Sequence, residues 1–258
     1  MTADRPTLRL LDFESDELKW ILIFAFVFAF VLTFRMWGPD DTFDPAYGLT
    51  NLLIGFAGMT VLVFLHEGGH KIAGARESYA VRIVPFKPGL AISGFVALYS
   101  QGIVPLVTPN LVECDAKTHL RLGKFRKYDN PSNMARIAMG GIIGSVLGVM
   151  AFKVLYNLTG FELLRVIMLG GVLHALYSLI PWELLNLFKL RYFESAETYA
   201  PGDGLHILWW SRGFYVFFFA FVIIFGLVTL LTGWVSVYIV IALAAAATYA
   251  LNKALGLD

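Results

Sequence analysis

Long apolar segments separated by short polar stretches make up most of the chain. A helix needs roughly 20 mostly apolar residues to cross the hydrocarbon core of a bilayer. The pattern therefore predicts an α-helical integral membrane protein with six transmembrane helices. They lie at Leu18–Trp37, Tyr47–Leu65, Met134–Tyr156, Leu163–Pro181, Leu205–Leu231 and Trp234–Leu251, and the second continues into His66–Ala75.

The first apolar segment is expected to be retained as a membrane helix. Its run at Ile21–Phe34 is too long for the core of a signal peptide, follows an acidic stretch and has no small-residue cleavage site. Residues 1–17 then form a cytoplasmic segment, and residues 18–258 form a single transmembrane domain.

A seventh apolar segment, Ala91–Val107, is shorter and is interrupted by serine, glycine, glutamine and proline. The preceding residues, Tyr79–Phe86, partly alternate between apolar and polar side chains as a strand does, and Lys87-Pro88-Gly89 is a turn signal. We therefore expect a small membrane-associated β-hairpin or sheet, or a re-entrant segment, after the second helix.

Composition supports a protein that is dissolved in lipid. Hydrophobic residues make up 58% of the 258 residues and charged residues 15%, and the mean hydropathy is +0.69. Soluble chains average about a quarter charged residues, so the lipid bilayer is the expected partner. A net charge of +1 argues against nucleic-acid binding, and the single cysteine, Cys114, excludes an intramolecular disulfide.

The distribution of lysine and arginine orients the predicted spans, because these residues accumulate in cytoplasmic loops. With six spans and cytoplasmic N- and C-termini, the basic loop Lys117–Lys127 faces inward and only Arg35, Lys153 and Arg165 fall outside. A full crossing by Ala91–Val107 would move the basic loop outside. The distribution therefore favours a six-span protein of the cell membrane.

A pattern typical of metal binding stands at the inner end of the second span, where the chain reads His66-Glu67-Gly68-Gly69-His70. Residues four apart share one face of a helix, so both histidines can direct a ring nitrogen at one Zn²⁺. In this HExxH spacing the glutamate acts as general base on a metal-bound water. The alternative is a polar helix end at the interface, but ionisable residues at membrane depth usually mark function.

A catalytic zinc has three protein ligands and one open position, so another part of the chain must supply a ligand. Asp203 is favoured because it stands at the cytoplasmic mouth of the fifth span, at the predicted depth of the two histidines. Gly204 would let the chain turn tightly there. The other candidates are His174, inside the fourth span, and His206, His119, Glu113 and Asp115.

These residues resemble the site-2 protease family of intramembrane zinc metalloproteases, and most closely its archaeal members. The resemblance covers a core of residues 47–212. It rests, in family order, on HEGGHKIAGAR at His66–Arg76, VPLVTPNLV at Val104–Val112, MGGIIGSVLG at Met139–Gly148, SLIP at Ser178–Pro181 and PGDGLHIL at Pro201–Leu208.

The resemblance implies a role for each residue of the site. His66, His70 and Asp203 would bind zinc and Glu67 would be the general base. The segment Tyr79–Val107 would form a membrane-embedded sheet that presents the substrate as an added strand.

The chain departs from the family pattern at two asparagines that would help to hold substrate or the oxyanion. Gly144 stands where the family has the asparagine of Gly-Pro-x-x-Asn, and Ser178 where it has that of Asn-Leu-x-Pro. Ser178 could bind substrate in place of the asparagine, or it could cap its own helix carbonyls. The long stretch from Pro181 to Asp203 predicts an inserted cytoplasmic loop, Trp182–Ala200.

The leading hypothesis is an intramembrane zinc metalloendopeptidase that cleaves transmembrane proteins near the cytoplasmic face. The alternative is a catalytically inactive, zinc-binding scaffold or adaptor of the same fold. The missing asparagines favour the scaffold, whereas Glu67, which a structural zinc site does not need, favours the enzyme. A transporter is disfavoured because the spans show no internal repeat.

The charge distribution yields a test of topology. In a Cys114→Ser background, single cysteines at Lys124 and Asp41 should react with a membrane-impermeant thiol reagent from opposite sides of the membrane, because the first position lies in the basic loop and the second in an acidic one. Labelling of both from one side would contradict the six-span arrangement.

Overall fold

The computed structural model describes residues 12–38, 42–116, 130–181 and 202–234. This part of the chain is mostly helical and contains one small sheet. In chain order its elements are α1 (Ser15–Thr33), α2 (Pro45–Arg76), β1 (Tyr79–Val84), α3 (Lys87–Tyr99), β2 (Leu111–Ala116), α4 (Pro131–Thr159), α5 (Glu162–Leu179), α6 (Asp203–Trp210) and α7 (Arg212–Leu231).

Four helices in the described part, α2, α4, α5 and α7, are long and apolar enough to cross a membrane. The predicted helical fold is therefore confirmed, and the four helices are consistent with a membrane protein, whereas the count of six spans stays a prediction. Helix α1 covers the first predicted span but carries Asp16, Glu17 and Lys19 in its first turns, and it is not one of the four. The sixth predicted span, Trp234–Leu251, lies outside the described residues except for its first residue.

The fifth predicted span is not continuous. Helix α6 ends at Trp210 and α7 begins at Arg212, with Ser211 between them in an extended conformation. The Ser211 hydroxyl accepts a hydrogen bond from the backbone N–H of Phe214 and so caps α7. A serine that can cap a new helix start explains why the apolar run is divided at this point.

The sheet expected after the second helix is present, but its second strand lies later in the chain than the sequence suggested. Strand β1 pairs antiparallel with β2, from Tyr79 opposite Ala116 to Val84 opposite Leu111. The segment Ala91–Val107 is not a hairpin, because its first half belongs to α3. The family resemblance implied a sheet over Tyr79–Val107. That prediction is wrong beyond Val84, where β1 ends.

The turn predicted at Lys87-Pro88-Gly89 is the first turn of α3. Proline is tolerated there because a helix leaves its first N–H groups without intrahelical partners. Ser93, which seemed to interrupt the apolar run, is buried and donates its hydroxyl hydrogen to the carbonyl of Gly89. The same hydroxyl accepts the backbone N–H of Thr108, so it joins α3 to the chain that returns towards β2.

A buried ion pair joins the start of α1 to the end of α2 and to the sheet. The Lys71 ammonium lies 2.9 Å from Oε2 of Glu17, and both side chains are buried. The Glu17 carboxylate also accepts the backbone N–H of Ile83 in β1 at 2.7 Å. Because Lys71 directly follows His70, this network fixes the chain next to the histidine pair.

Helices α2 and α4 approach each other so closely that their backbones touch. A Cβ atom built on Gly69 would lie 2.1 Å from the carbonyl oxygen of Gly140, and one on Gly144 would lie 2.0 Å from that of Leu65. Small residues permit such contacts between helices in lipid. The contact occurs at the level of His66 and His70, and it places α4 directly behind them.

This contact predicts that Gly144→Ala destabilises the protein, because the new methyl group would clash with backbone and not with a movable side chain. Overpacking of this kind costs about 1–3 kcal/mol, which thermal unfolding in detergent would detect as a lower melting temperature. Gly94→Ala is the matched control, since Gly94 is also helical and has nothing within 4 Å of its built Cβ atom. A Gly144→Ala protein that melts with or above the parent would contradict the contact.

Candidate metal centre

Three buried side chains from two helices converge on one point. His66 and His70 lie one turn apart on α2, and their Nε2 atoms are 3.1 Å apart. Oδ2 of Asp203, the first residue of α6, lies 3.5 Å from Nε2 of His66 and 3.4 Å from that of His70. These three side chains could hold a metal ion, and they are the three that the sequence favoured.

The outer nitrogens of both imidazoles have partners on α4. Nδ1 of His70 lies 2.9 Å from the carbonyl oxygen of Ile137, and Nδ1 of His66 lies 2.9 Å from the hydroxyl of Ser145. A carbonyl oxygen only accepts, so Nδ1 of His70 carries a hydrogen, and Nε2 is the ring nitrogen that faces the other two groups. Metal-binding histidines are usually oriented by such partners.

Close packing of α6 against α5 places Asp203. A Cβ atom on Gly204 would lie 2.0 Å from the carbonyl oxygen of Leu179, so no larger residue fits at this position. The sequence predicted a tight turn at Gly204. The residue instead lies within α6, where its lack of a side chain permits the contact with Leu179. Burial by itself would raise the pKa of the Asp203 carboxyl, but the neighbouring His70 and His66 hold that pKa well below its usual range.

Glu67 lies beside the triad and is held by a residue that the sequence prediction missed. Its Oε1 accepts a hydrogen bond of 2.9 Å from the side-chain amide of Asn110, and both side chains are buried. Its Oε2 is buried and has no hydrogen-bond partner among the described residues. The carboxylate therefore has one anchored oxygen and one oxygen available for a proton.

The other candidate ligands do not join the triad. The His174 ring lies against the His66 ring, with centroids 4.3 Å apart, but it is not part of the metal-binding group. His206 lies on α6 beyond Asp203, and Glu113 and Asp115 lie on β2. His119 and the predicted loop Trp182–Ala200 fall outside the described residues.

The two positions that lack the family asparagines have different surroundings. At Gly144 the backbone of α2 fills the space that a side chain would need. Ser178 is buried on α5, and its hydroxyl has no hydrogen-bond partner in the described part of the chain. A cap on its own helix carbonyls is therefore not formed, and the hydroxyl is free to meet a ligand.

The residues that sequence reasoning missed are Asn110, Ser145 and Ile137. Each reaches the site through tertiary contact, and none stands at a fixed spacing from His66 or His70. Asn110 is a polar residue in the apolar stretch Val104–Val112, which was a usable signal. Ile137 contributes its backbone carbonyl, which no sequence pattern marks.

No protein-family model matches the chain, and comparison with the curated proteins and with the solved structures also gave no match.

The triad predicts that Asp203→Ala lowers the bound metal well below one equivalent per chain, since two imidazoles alone leave the site without its anionic ligand. Metal content of the purified protein, measured by atomic emission, tests this. His206→Ala is the control because it lies on the same short helix but outside the metal-binding group. Unchanged metal content in Asp203→Ala would remove the carboxylate from the site.

Proposed function

We propose that the protein is an intramembrane zinc metalloendopeptidase that cleaves transmembrane protein substrates near the cytoplasmic face. The observation that carries this proposal is the buried triad of His66, His70 and Asp203 with the half-anchored carboxylate of Glu67 beside it. A purely structural metal site has no use for that carboxylate, whereas peptide hydrolysis needs a general base at this position.

The spacing of the three ligand atoms supports zinc as the metal. Tetrahedral zinc with metal–ligand distances of about 2.0–2.1 Å holds its ligand atoms about 3.3–3.4 Å apart. The observed separations, 3.1, 3.4 and 3.5 Å, bracket that value. Two imidazoles and one carboxylate are also a usual donor set for catalytic zinc and leave one position open.

Bound zinc would supply a water molecule that is acidic near neutral pH and a Lewis acid for the scissile carbonyl. The residues of the chain perform the proton transfers. Glu67 takes the proton of the attacking water at Oε2, while Asn110 keeps Oε1 in place. The same oxygen then returns the proton to the leaving amine nitrogen.

The proposal includes the topology and family that the sequence favoured. Six spans with both termini in the cytoplasm would place the triad near the inner face, where α2 ends and α6 begins. A helical substrate satisfies its own backbone hydrogen bonds in lipid, so its cleavage site must unwind before it reaches Glu67. Membership of the site-2 protease family would account for the order of the motifs from His66 to Leu208.

Glu67→Gln is expected to keep its zinc and to lose peptide cleavage, because the amide preserves the shape of the side chain but cannot accept the proton. General acid–base assistance typically contributes 10²–10⁴-fold, so the rate on a model transmembrane peptide should fall by at least about 10²-fold. Cleavage in detergent micelles and zinc content would be measured on the same preparation.

Glu162→Gln is the matched control, because Glu162 begins α5 and is not part of the site. It should cleave at the parent rate. Cleavage by Glu67→Gln at the parent rate would contradict the assigned base. A parent protein that holds zinc but cleaves none of the tested transmembrane peptides would favour the scaffold instead.

A further inference from the structure

Unsatisfied polar atoms concentrate around the triad. Among the described residues, eight buried side-chain nitrogen and oxygen atoms have no hydrogen-bond partner. Five of them belong to Glu67, Asn110, His174 and Ser178. Glu67 and Asn110 are hydrogen-bonded to each other, and His174 and Ser178 lie one turn apart on α5. The mechanism above uses Glu67 and Asn110, and the family resemblance implies a substrate-binding role for Ser178, but His174 has no role yet.

His174 is the more unusual member of that pair. Its ring is 1% exposed and packs between His66, with centroids 4.3 Å apart, and the phenyl rings of Phe24 and Phe28, at 5.3 and 5.9 Å. Both ring nitrogens lack a hydrogen-bond partner in the described part of the chain. The side chain therefore adjoins the metal ligands without being one of them.

An uncharged imidazole always carries one N–H group. A buried donor without an acceptor destabilises the fold, and a leucine or phenylalanine would pack against Phe24 and Phe28 without that penalty. Ser178 repeats the situation one turn later, with a hydroxyl in place of the ring N–H. Two unpartnered donors lie on one face of α5, and the ring of the first packs against the candidate ligand His66. This arrangement indicates that an acceptor reaches them from a bound ligand.

We propose that His174 donates a hydrogen bond to the scissile carbonyl oxygen as that oxygen becomes the tetrahedral oxyanion, beside the hydrogen bond that the family resemblance already implies for Ser178. The proposal rests on the peptidase function and adds a catalytic residue to it. His174 transfers no proton and forms no covalent bond; its N–H stabilises the negative charge that develops on the oxygen. The water proton still passes to Glu67 and from there to the leaving nitrogen.

A role as general base fits His174 less well. A histidine base is normally held in one tautomer by a carboxylate or carbonyl on its second nitrogen, as Ile137 holds His70. Neither nitrogen of His174 has such a partner in the described residues. His174 is also not needed as the third metal ligand, because Asp203 already lies beside both His66 and His70.

The first test is binding rather than turnover. Cobalt in place of zinc gives a visible absorption band that reports ligands at the metal. Phenylphosphinate, a tetrahedral oxyanion, and benzoate, a planar one of equal charge, would be titrated into parent and His174→Phe protein. We expect the dissociation constant of phenylphosphinate to rise about tenfold or more in His174→Phe, with a smaller change for benzoate and the same cobalt content.

The second test is kinetic. Loss of one oxyanion donor typically lowers kcat by about 10²–10³-fold, so His174→Phe should reduce kcat on a cleaved transmembrane peptide with little change in KM. His174→Gln, which keeps an N–H donor, should recover part of the loss. Ser178→Ala should show a smaller defect of the same kind. Thr229→Val is the matched control. The Thr229 hydroxyl is also buried and has no partner in the described chain. It lies on α7, near the end that Lys153 contacts.

The outcomes separate this inference from the proposed function. Parent-like phenylphosphinate binding and kcat in His174→Phe would overturn the oxyanion role while leaving the peptidase intact. Loss of cobalt from His174→Phe would also overturn it, because the residue would then hold the metal. If the parent cleaves no peptide, the peptidase fails, and a selective loss of phenylphosphinate binding in His174→Phe would still support an oxyanion site.

Discussion

The backbone contact between α2 and α4 is the constraint from which the geometry of the site follows. Gly69, Gly140 and Gly144 let the two helices approach until their backbones touch. Only at this separation can Ser145 and the carbonyl of Ile137 reach the outer nitrogens of the histidine rings. The rings are thereby held from behind by α4, and their inner nitrogens meet at one point.

A second set of contacts relates the position of the sheet to that of Glu67. The Glu17 carboxylate bonds both Lys71 and the backbone of Ile83, so the buried charge pair fixes β1 relative to α2. Ile83 is opposite Val112 in β2. Since Asn110 directly precedes that strand, the register of the sheet sets where its amide meets Glu67. The ion pair therefore contributes by fixing β1 relative to α2. Fixing register in this way is the best-supported role of buried charges.

The sequence was sufficient for the parts that obey a spacing rule or a depth rule. The spacing of two histidines four residues apart identified two of the three candidate ligands. The predicted depth in the membrane, shared with these histidines, singled out Asp203 from the other candidates. The segment after β1 was misjudged because Gly89 looks like part of a turn and Ser93 looks like an interruption in an apolar run. In the fold they are contact positions, where Gly89 adjoins Phe86 and Thr108 and Ser93 closes a hydrogen bond to the returning chain. Asn110 obeys no spacing rule from Glu67, so only the fold could bring them together.

The triad also ties distant parts of the polypeptide to one another. His66 and His70 belong to the second helix, whereas Asp203 begins the short helix that leads into α7. Among the described elements, α7 packs mainly against α5 and α6. An ion bound to all three side chains is therefore a cross-link, comparable to a disulfide that closes a long loop, whose effect grows with the length of chain enclosed. Metal loading would therefore fasten the α6–α7 unit to α2, which supplies both histidines.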